Sequence, residues 1–214
     1  MQIAIVLYDR FTALDAVGPY ELLSRIPEAD TIFVAEQPGP VRTDTGSLAL
    51  VADRGFDEVR RPDIVVVPGG PGQTEQMTNP RLLDWLRRVD STSTWTTSVC
   101  TGSLLLAAAG LLHGRGATSH WLALDELTEL GAQPTSDRVV IDGKYVTAAG
   151  VSSGIDMGLT LLGRIAGHEH AMAIQLLTEY DPQPPYDAGS PAKAPAQMVE
   201  NLRAGARFAR ASRS

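Results

Sequence analysis

Two short runs of aliphatic and β-branched residues, Gln2 to Leu7 and Ile64 to Val67, carry one polar side chain between them. A strand with one face in water alternates apolar and polar residues; an unbroken apolar run is what a strand covered on both faces requires. Thr31 to Ala35 and Thr94 to Val99 are weaker strand candidates. Helical segments separate them, one opening at Asn79-Pro80, where asparagine suits the cap and proline the first turn. This alternation predicts an α/β fold, a parallel sheet with helices on both faces.

Late in the chain, Val139 to Ile141, Asp142-Gly143 and Tyr145 to Ala148 predict an antiparallel hairpin with a two-residue turn. Ser153 to Ile165 and Ala171 to Leu177 read as helices, and His168-Glu169-His170 as an exposed helix start. The segment 181–195 is too proline-rich for regular structure and is expected to run as an extended arm. A helix follows over about 197–210, and Arg203, Arg207, Arg210 and Arg213 fall at helical spacing, the pattern of a solvated face. No internal repeat is present, and residues 1–214 are expected to form one domain.

Several function classes are disfavoured at this level. At 43% hydrophobic and 20% charged residues, 214 residues suffice for a full core. A net charge of −7 and an isoelectric point near 5.0 argue against a nucleic-acid surface. The apolar start lacks a basic leader and a small-residue cleavage site, and no apolar run reaches membrane-spanning length, so a cytoplasmic protein without membrane contact is expected. One cysteine excludes an intrachain disulfide, and His113, His120, His168 and His170 show no zinc-ligand spacing with it.

That cysteine, Cys100, stands between the strand candidate ending at Val99 and the apolar stretch Leu104 to Leu112. Strand, sharp turn and helix together form a nucleophile elbow, which lifts a side chain to the carboxyl edge of a parallel sheet. A lone intracellular cysteine is ordinarily a small buried hydrophobe. Here the amino end of a helix would favour the thiolate, and catalysis is the preferred reading. Val65 to Gly72 is a second strand running into a turn, Pro68-Gly69-Gly70-Pro71, at the same edge. The Gly70 amide, with that of Thr101, is placed to hold developing negative charge; a plain strand-end turn is the alternative. No Gly-Lys-Ser/Thr follows, which excludes a phosphate loop. Asp15, just after the first strand, reads equally as a protonated acid in a dry pocket or as the partner of Thr12 in a reciprocal helix cap.

Taken in order, Asp15-x-x-Gly18-Pro19-x-Glu21, Pro68-Gly69-Gly70, Val99-Cys100-Thr101-Gly102, Ala117 to Trp121 and Ala149 to Asp156 resemble the ThiJ/PfpI superfamily, and within it the isonitrile hydratase branch. The resemblance runs from Met1 to about Ser190. It implies a flavodoxin-like three-layer sandwich and a homodimer. It also implies a cofactor-independent, metal-free hydro-lyase that converts a small-molecule isonitrile to the N-substituted formamide through a thioimidate. The branch's catalytic cysteine, the threonine after it and the acid map onto Cys100, Thr101 and Asp15, with Gly70 and Thr101 polarising the intermediate. Peptidase-like members usually place histidine after the cysteine, where this chain has Thr101. Glyoxalases and deglycases, the nearest enzymatic alternative, typically have glutamate where Asp15 stands. Similar domains also form the sensing halves of AraC-type regulators, which continue into a helix-turn-helix region of roughly one hundred residues; this chain ends at Ser214. His120 is expected to support the site without reacting, and Glu21 is open between solvent and pocket.

Overall fold

The computed structural model describes residues 1–205. In chain order its strands are β1 (Gln2–Val6), β2 (Asp30–Ala35), β3 (Gly39–Arg42), β4 (Ala49–Ala52), β5 (Arg54–Gly55), β6 (Ile64–Val67), β7 (Trp95–Val99), β8 (Gly116–Ala117), β9 (Gln133–Pro134), β10 (Val139–Asp142) and β11 (Tyr145–Ala148). The helices are α1 (Ala13–Leu23), α2 (Gln73–Gln76), α3 (Pro80–Asp90), α4 (Gly102–Ala108), α5 (Leu124–Glu129), α6 (Ser153–Ala166), α7 (His168–Leu177) and α8 (Ala196–Gly205). Seven strands form one sheet in the order β10-β11-β7-β6-β1-β2-β5. Every neighbouring pair is parallel except β10 with β11. Helices α1, α6 and α7 pack on one another, as do α3, α4 and α5, and the two groups flank the sheet. This is the expected flavodoxin-like three-layer sandwich.

The apolar runs occupy the centre. All four residues of β6 and all but the first of β1 are buried. β7 is nearly as buried although it reads Trp-Thr-Thr-Ser-Val. Its two threonine hydroxyls find partners, while Ser98 Oγ has none among the described residues: Thr97 Oγ1 donates to the Val65 carbonyl at 2.9 Å, and Thr96 Oγ1 to Asp90 Oδ1 at 2.7 Å. Buried hydroxyls satisfied in this way cost little, which lets a polar strand sit at the sheet centre. Asn79 caps α3 as expected, accepting the Arg81 amide at 3.0 Å.

Two local readings need correction, the hairpin turn and the Thr12 cap. Asp142 pairs with Tyr145, so the hairpin turn is Gly143-Lys144 and not Asp142-Gly143. Gly143 takes φ 62° in the first turn position, where glycine is favoured. α7 opens at His168, the exposed helix start expected of His168-Glu169-His170, where Gly167 at φ 91° breaks the preceding helix. Thr12 makes no side-chain cap; its hydroxyl donates to Asp44 Oδ2 at 2.8 Å, and the reciprocal cap with Asp15 is not formed.

The proline-rich segment carries no helix or strand, and the C-terminal helix is present as α8; Arg207, Arg210 and Arg213 lie outside the described residues. No helix among the described residues is long and apolar enough to cross a membrane.

The sheet order sets where a site can form. From β1 the chain runs to β2 on one side and returns to β6 on the other, so the adjacent strands β1 and β6 lead away in opposite directions. At such a switch point the loops leaving the carboxyl ends part and leave a crevice. Asp15 follows β1, Gly69 and Gly70 follow β6, and Cys100 follows β7, so all three stand at this edge.

Candidate active site

Cys100 is a non-glycine residue at φ 57°, the strained geometry of an elbow between β7 and α4. The surroundings fix it there. Its amide donates to the carbonyls of Ala148 at 3.0 Å and Ala149 at 2.8 Å, while its own carbonyl accepts Ser119 Oγ at 3.0 Å and Ser103 Oγ at 3.2 Å. Gly102 allows the elbow to approach β6: a Cβ there would lie 2.1 Å from the Val67 carbonyl oxygen. Both atoms belong to backbone, so neither can swing away. Gly102→Ala is therefore expected to destabilise the fold by about 3 kcal/mol or more, read as a lowered urea midpoint.

Asp15 lies on the first turn of α1 and is fully buried. Its Oδ2 accepts the Gly69 amide at 2.9 Å, and its Oδ1 is buried without a partner of its own. The carboxyl also interacts with the Cys100 thiol. Burial pushes the Asp15 pKa up to about 7, with the charge of Asp44 acting in the same sense; the Gly69 amide and the thiol oppose the shift. Between the two readings of Asp15, the geometry takes that of an acid in a dry pocket.

The expectation of a resting thiolate is reversed. Burial raises the Cys100 pKa, and the negative charge of Asp15 raises it further. The amides of Val151 and Thr101 hydrogen-bond the sulphur and pull the other way without overcoming desolvation. α4 has only seven residues, and its amino end is sealed from water. At neutral pH the site therefore holds a thiol beside a carboxyl that titrates near neutrality.

Thr101 stands where expected, with its amide on the Cys100 sulphur. The Gly70 amide does not point at open space: it donates to Thr101 Oγ1 at 3.0 Å and so holds that hydroxyl in place. A Cβ at Gly69 would lie 2.6 Å from Thr101 Oγ1 and 3.0 Å from Asp15 Oδ2, so the bare Gly69 backbone is what lets hydroxyl and carboxylate converge. Tyr8, buried on the same edge, donates its hydroxyl to the Pro68 carbonyl at 2.9 Å and props the loop.

Glu21 is exposed on α1 and paired with Arg25, just past the end of that helix, on the solvent side. His120 is half-buried; its Nδ1 accepts the Leu122 amide at 3.3 Å and its ring packs against Gly150. Burial lowers its pKa. The residue that spacing did not find is Val151, a β-branched residue at φ 20° whose backbone conformation turns its amide onto the sulphur. Its only sequence signal was membership of the Ala149 to Asp156 motif. Among the described residues no three His, Cys, Asp or Glu side chains gather as metal ligands.

A model of the DJ-1/PfpI family matches residues 1–164. The chain belongs to the DJ-1/PfpI family. Among curated members, an isonitrile hydratase of Pseudomonas putida is 41% identical over 203 residues, covering 95% of this chain and 89% of that protein. The HTH-type transcriptional regulator CdhR of Pseudomonas aeruginosa is 34% identical over 166 residues, but the match spans only 48% of its length. Among solved structures, a ThiJ/PfpI family protein from Pseudomonas syringae superposes with a TM-score of 0.92 at 38% identity, covering 97% of this chain and 88% of that one. DJ-1beta of Drosophila melanogaster, at 20% identity and a TM-score of 0.76, shares the DJ-1/PfpI fold.

Proposed function

We propose that the chain is an isonitrile hydratase in which Cys100 is the nucleophile, Asp15 moves the protons, and Thr101 and Gly70 steady the reacting atoms. The observation that carries this reading is the buried pair of Cys100 and Asp15, a thiol and a carboxyl in hydrogen-bond contact at the carboxyl edge of the sheet. The resemblance to the Pseudomonas putida enzyme, running nearly end to end, supports the substrate class.

An isonitrile carbon carries a lone pair and accepts a nucleophile, so its hydration needs a nucleophile and then a proton at one atom. The Asp15 carboxylate takes the thiol proton as sulphur bonds to the terminal carbon of R–N≡C. The carbon lone pair then takes that proton back from Asp15, giving the thioimidate S–CH=N–R. In the second half Asp15 removes a proton from water as its oxygen bonds to this carbon, and the same proton passes to nitrogen. The tetrahedral adduct collapses when the hydroxyl proton leaves, the C–S bond breaks, and sulphur regains a proton through Asp15. The sum is one isonitrile and one water to one N-substituted formamide. The Thr101 hydroxyl, fixed by the Gly70 amide, donates to the heteroatom on which charge gathers. Nothing in the cycle calls on a metal or an organic cofactor.

The active form carries one proton on the thiol–carboxyl pair. Below pH about 7 a second proton binds at Asp15 and the base is lost, so kcat/KM is expected to fall about tenfold per pH unit there. It should hold on the alkaline side, because the thiol titrates far higher. A pH profile with cyclohexyl isonitrile, followed by formamide absorbance, tests both the activity and its lower limb. Absence of turnover across a panel of isonitriles overturns the assignment. The proposal extends to a cytoplasmic homodimer built from one domain per chain, which sedimentation checks for the dimer.

A further inference from the structure

Beside the elbow lies a cavity of about 720 Å³. Thr118 to Trp121 form one wall and Ala149 to Ser152 the other; Gly189 to Ala192 of the proline-rich arm and Arg203 of α8 close over them. Three lining residues touch Cys100 itself: Ser119 through its hydroxyl on the carbonyl, Ala149 through its carbonyl on the amide, and Val151 through its amide on the sulphur. The cavity thus borders the residues that hold the elbow, with the Val151 amide as its link to the sulphur, and its size suits a substituent well beyond a small alkyl group.

The polar character of the lining is specific. Arg203 stacks over the Trp121 ring with its guanidinium 5.7 Å from the centroid, and it has no carboxylate partner among the described residues. The other cation on the wall, Arg138, is neutralised by Asp156 and tied to Ser152 Oγ at 3.3 Å. Among the described residues Arg203 is therefore the charge on this cavity's lining without a carboxylate partner, on a chain whose net charge is −7. Ser136 and Ser190 add hydroxyls to the lining, and Thr118, fully buried, has an Oγ1 without a partner among the described residues. Trp121 and Leu124 add apolar area to the lining. A plain hydrocarbon substituent would cover the apolar area and leave the guanidinium and the hydroxyls unanswered, whereas a carboxylate at its end answers them.

We infer that this cavity receives the nitrogen substituent of the isonitrile and selects substituents that end in a carboxylate. The inference rests on the hydratase reading and goes beyond it to the substrate class. The test compares kcat/KM for ω-isocyanoalkanoates of increasing chain length with that for their methyl esters, using the full chain and its Arg203→Gln and Arg81→Gln variants. The expected result is a preference for the acid of about fivefold or more at one chain length, the scale of a partly exposed ion pair. The preference shrinks with added salt, disappears in Arg203→Gln and survives in Arg81→Gln, a surface change outside the cavity. Equal turnover of acid and ester by the unaltered chain, or a preference that survives Arg203→Gln, overturns this inference and leaves the hydratase reading standing. Failure to hydrate acids and esters alike overturns both.

Discussion

Cys100→Ala is expected to lower kcat for isonitrile hydration by about 10⁵ while the protein stays folded. The covalent half-reactions both run through Sγ, and no other thiol exists in the chain to replace it. Asp15 is held by the Gly69 amide in its proton-transfer role and the amides of Thr101 and Val151 are not nucleophiles, so what remains is whatever the pocket contributes by holding isonitrile and water together. The fold is insulated from the change. Alanine keeps the Cβ at φ 57° and therefore adds no strain, and the elbow is held by backbone and serine hydrogen bonds that do not involve sulphur. The thermal midpoint should move by no more than the loss of one weakly bonded buried group, about 1 kcal/mol. Formamide production and a melting curve on the same sample read both halves. Residual activity above about 1% with normal folding would remove sulphur from the mechanism.

Asp15→Asn should separate chemistry from stability. An amide can accept the Gly69 hydrogen bond but neither takes the thiol proton nor returns it to carbon, so kcat is expected to fall by about 10³. Stability should change in the opposite direction. The folded-state pKa of Asp15 is raised from 3.8 to about 7, so the native protein binds a proton there that the unfolded chain has released. The stability this group contributes is fully present below pH about 4 and is lost as pH rises through 7, a change on the order of 4 kcal/mol. Asparagine does not titrate. The variant should therefore melt above the unaltered protein at pH 8, and the gap should close as pH falls toward 4. A gap independent of pH would mean that Asp15 is not held protonated by burial. Storing an unfavourable carboxylate in the core for the sake of reactivity is a recognised cost of function.

Much of this architecture was legible because the physics that makes it is local. β1 and β6 announce themselves as apolar runs, since strands covered on both faces have no solvent side to mark with polar residues. β7 was weaker in the sequence because Thr96 and Thr97 read as surface residues until their partners, Asp90 and the Val65 carbonyl, are brought in by the fold. The ribbon of β3 and β4, and the two-residue strands β5, β8 and β9, left no pattern long enough to read. The elbow was legible as strand, thiol, glycine and helix. What it did to the thiol was not: the helix end is written locally, whereas desolvation and the charge of Asp15 arise only when β1, β6 and β7 share one edge, and these win. The same holds for Gly70, whose amide seemed open from its position after β6 but is taken by Thr101 from the next strand. Val151 acts through backbone alone, and a backbone amide has no residue type by which to find it.

The central claim is that hydration passes through a covalent bond between Cys100 and the isonitrile carbon. It is tested most directly by acid-quenching the protein during turnover of saturating cyclohexyl isonitrile, then measuring its intact mass and mapping the modified peptide. The account predicts a species heavier by the whole mass of one isonitrile, on the peptide containing Cys100, that decays to unmodified protein as formamide appears and is absent in Cys100→Ala. Formamide produced at the full rate with Cys100 unmodified at every quench time would contradict it.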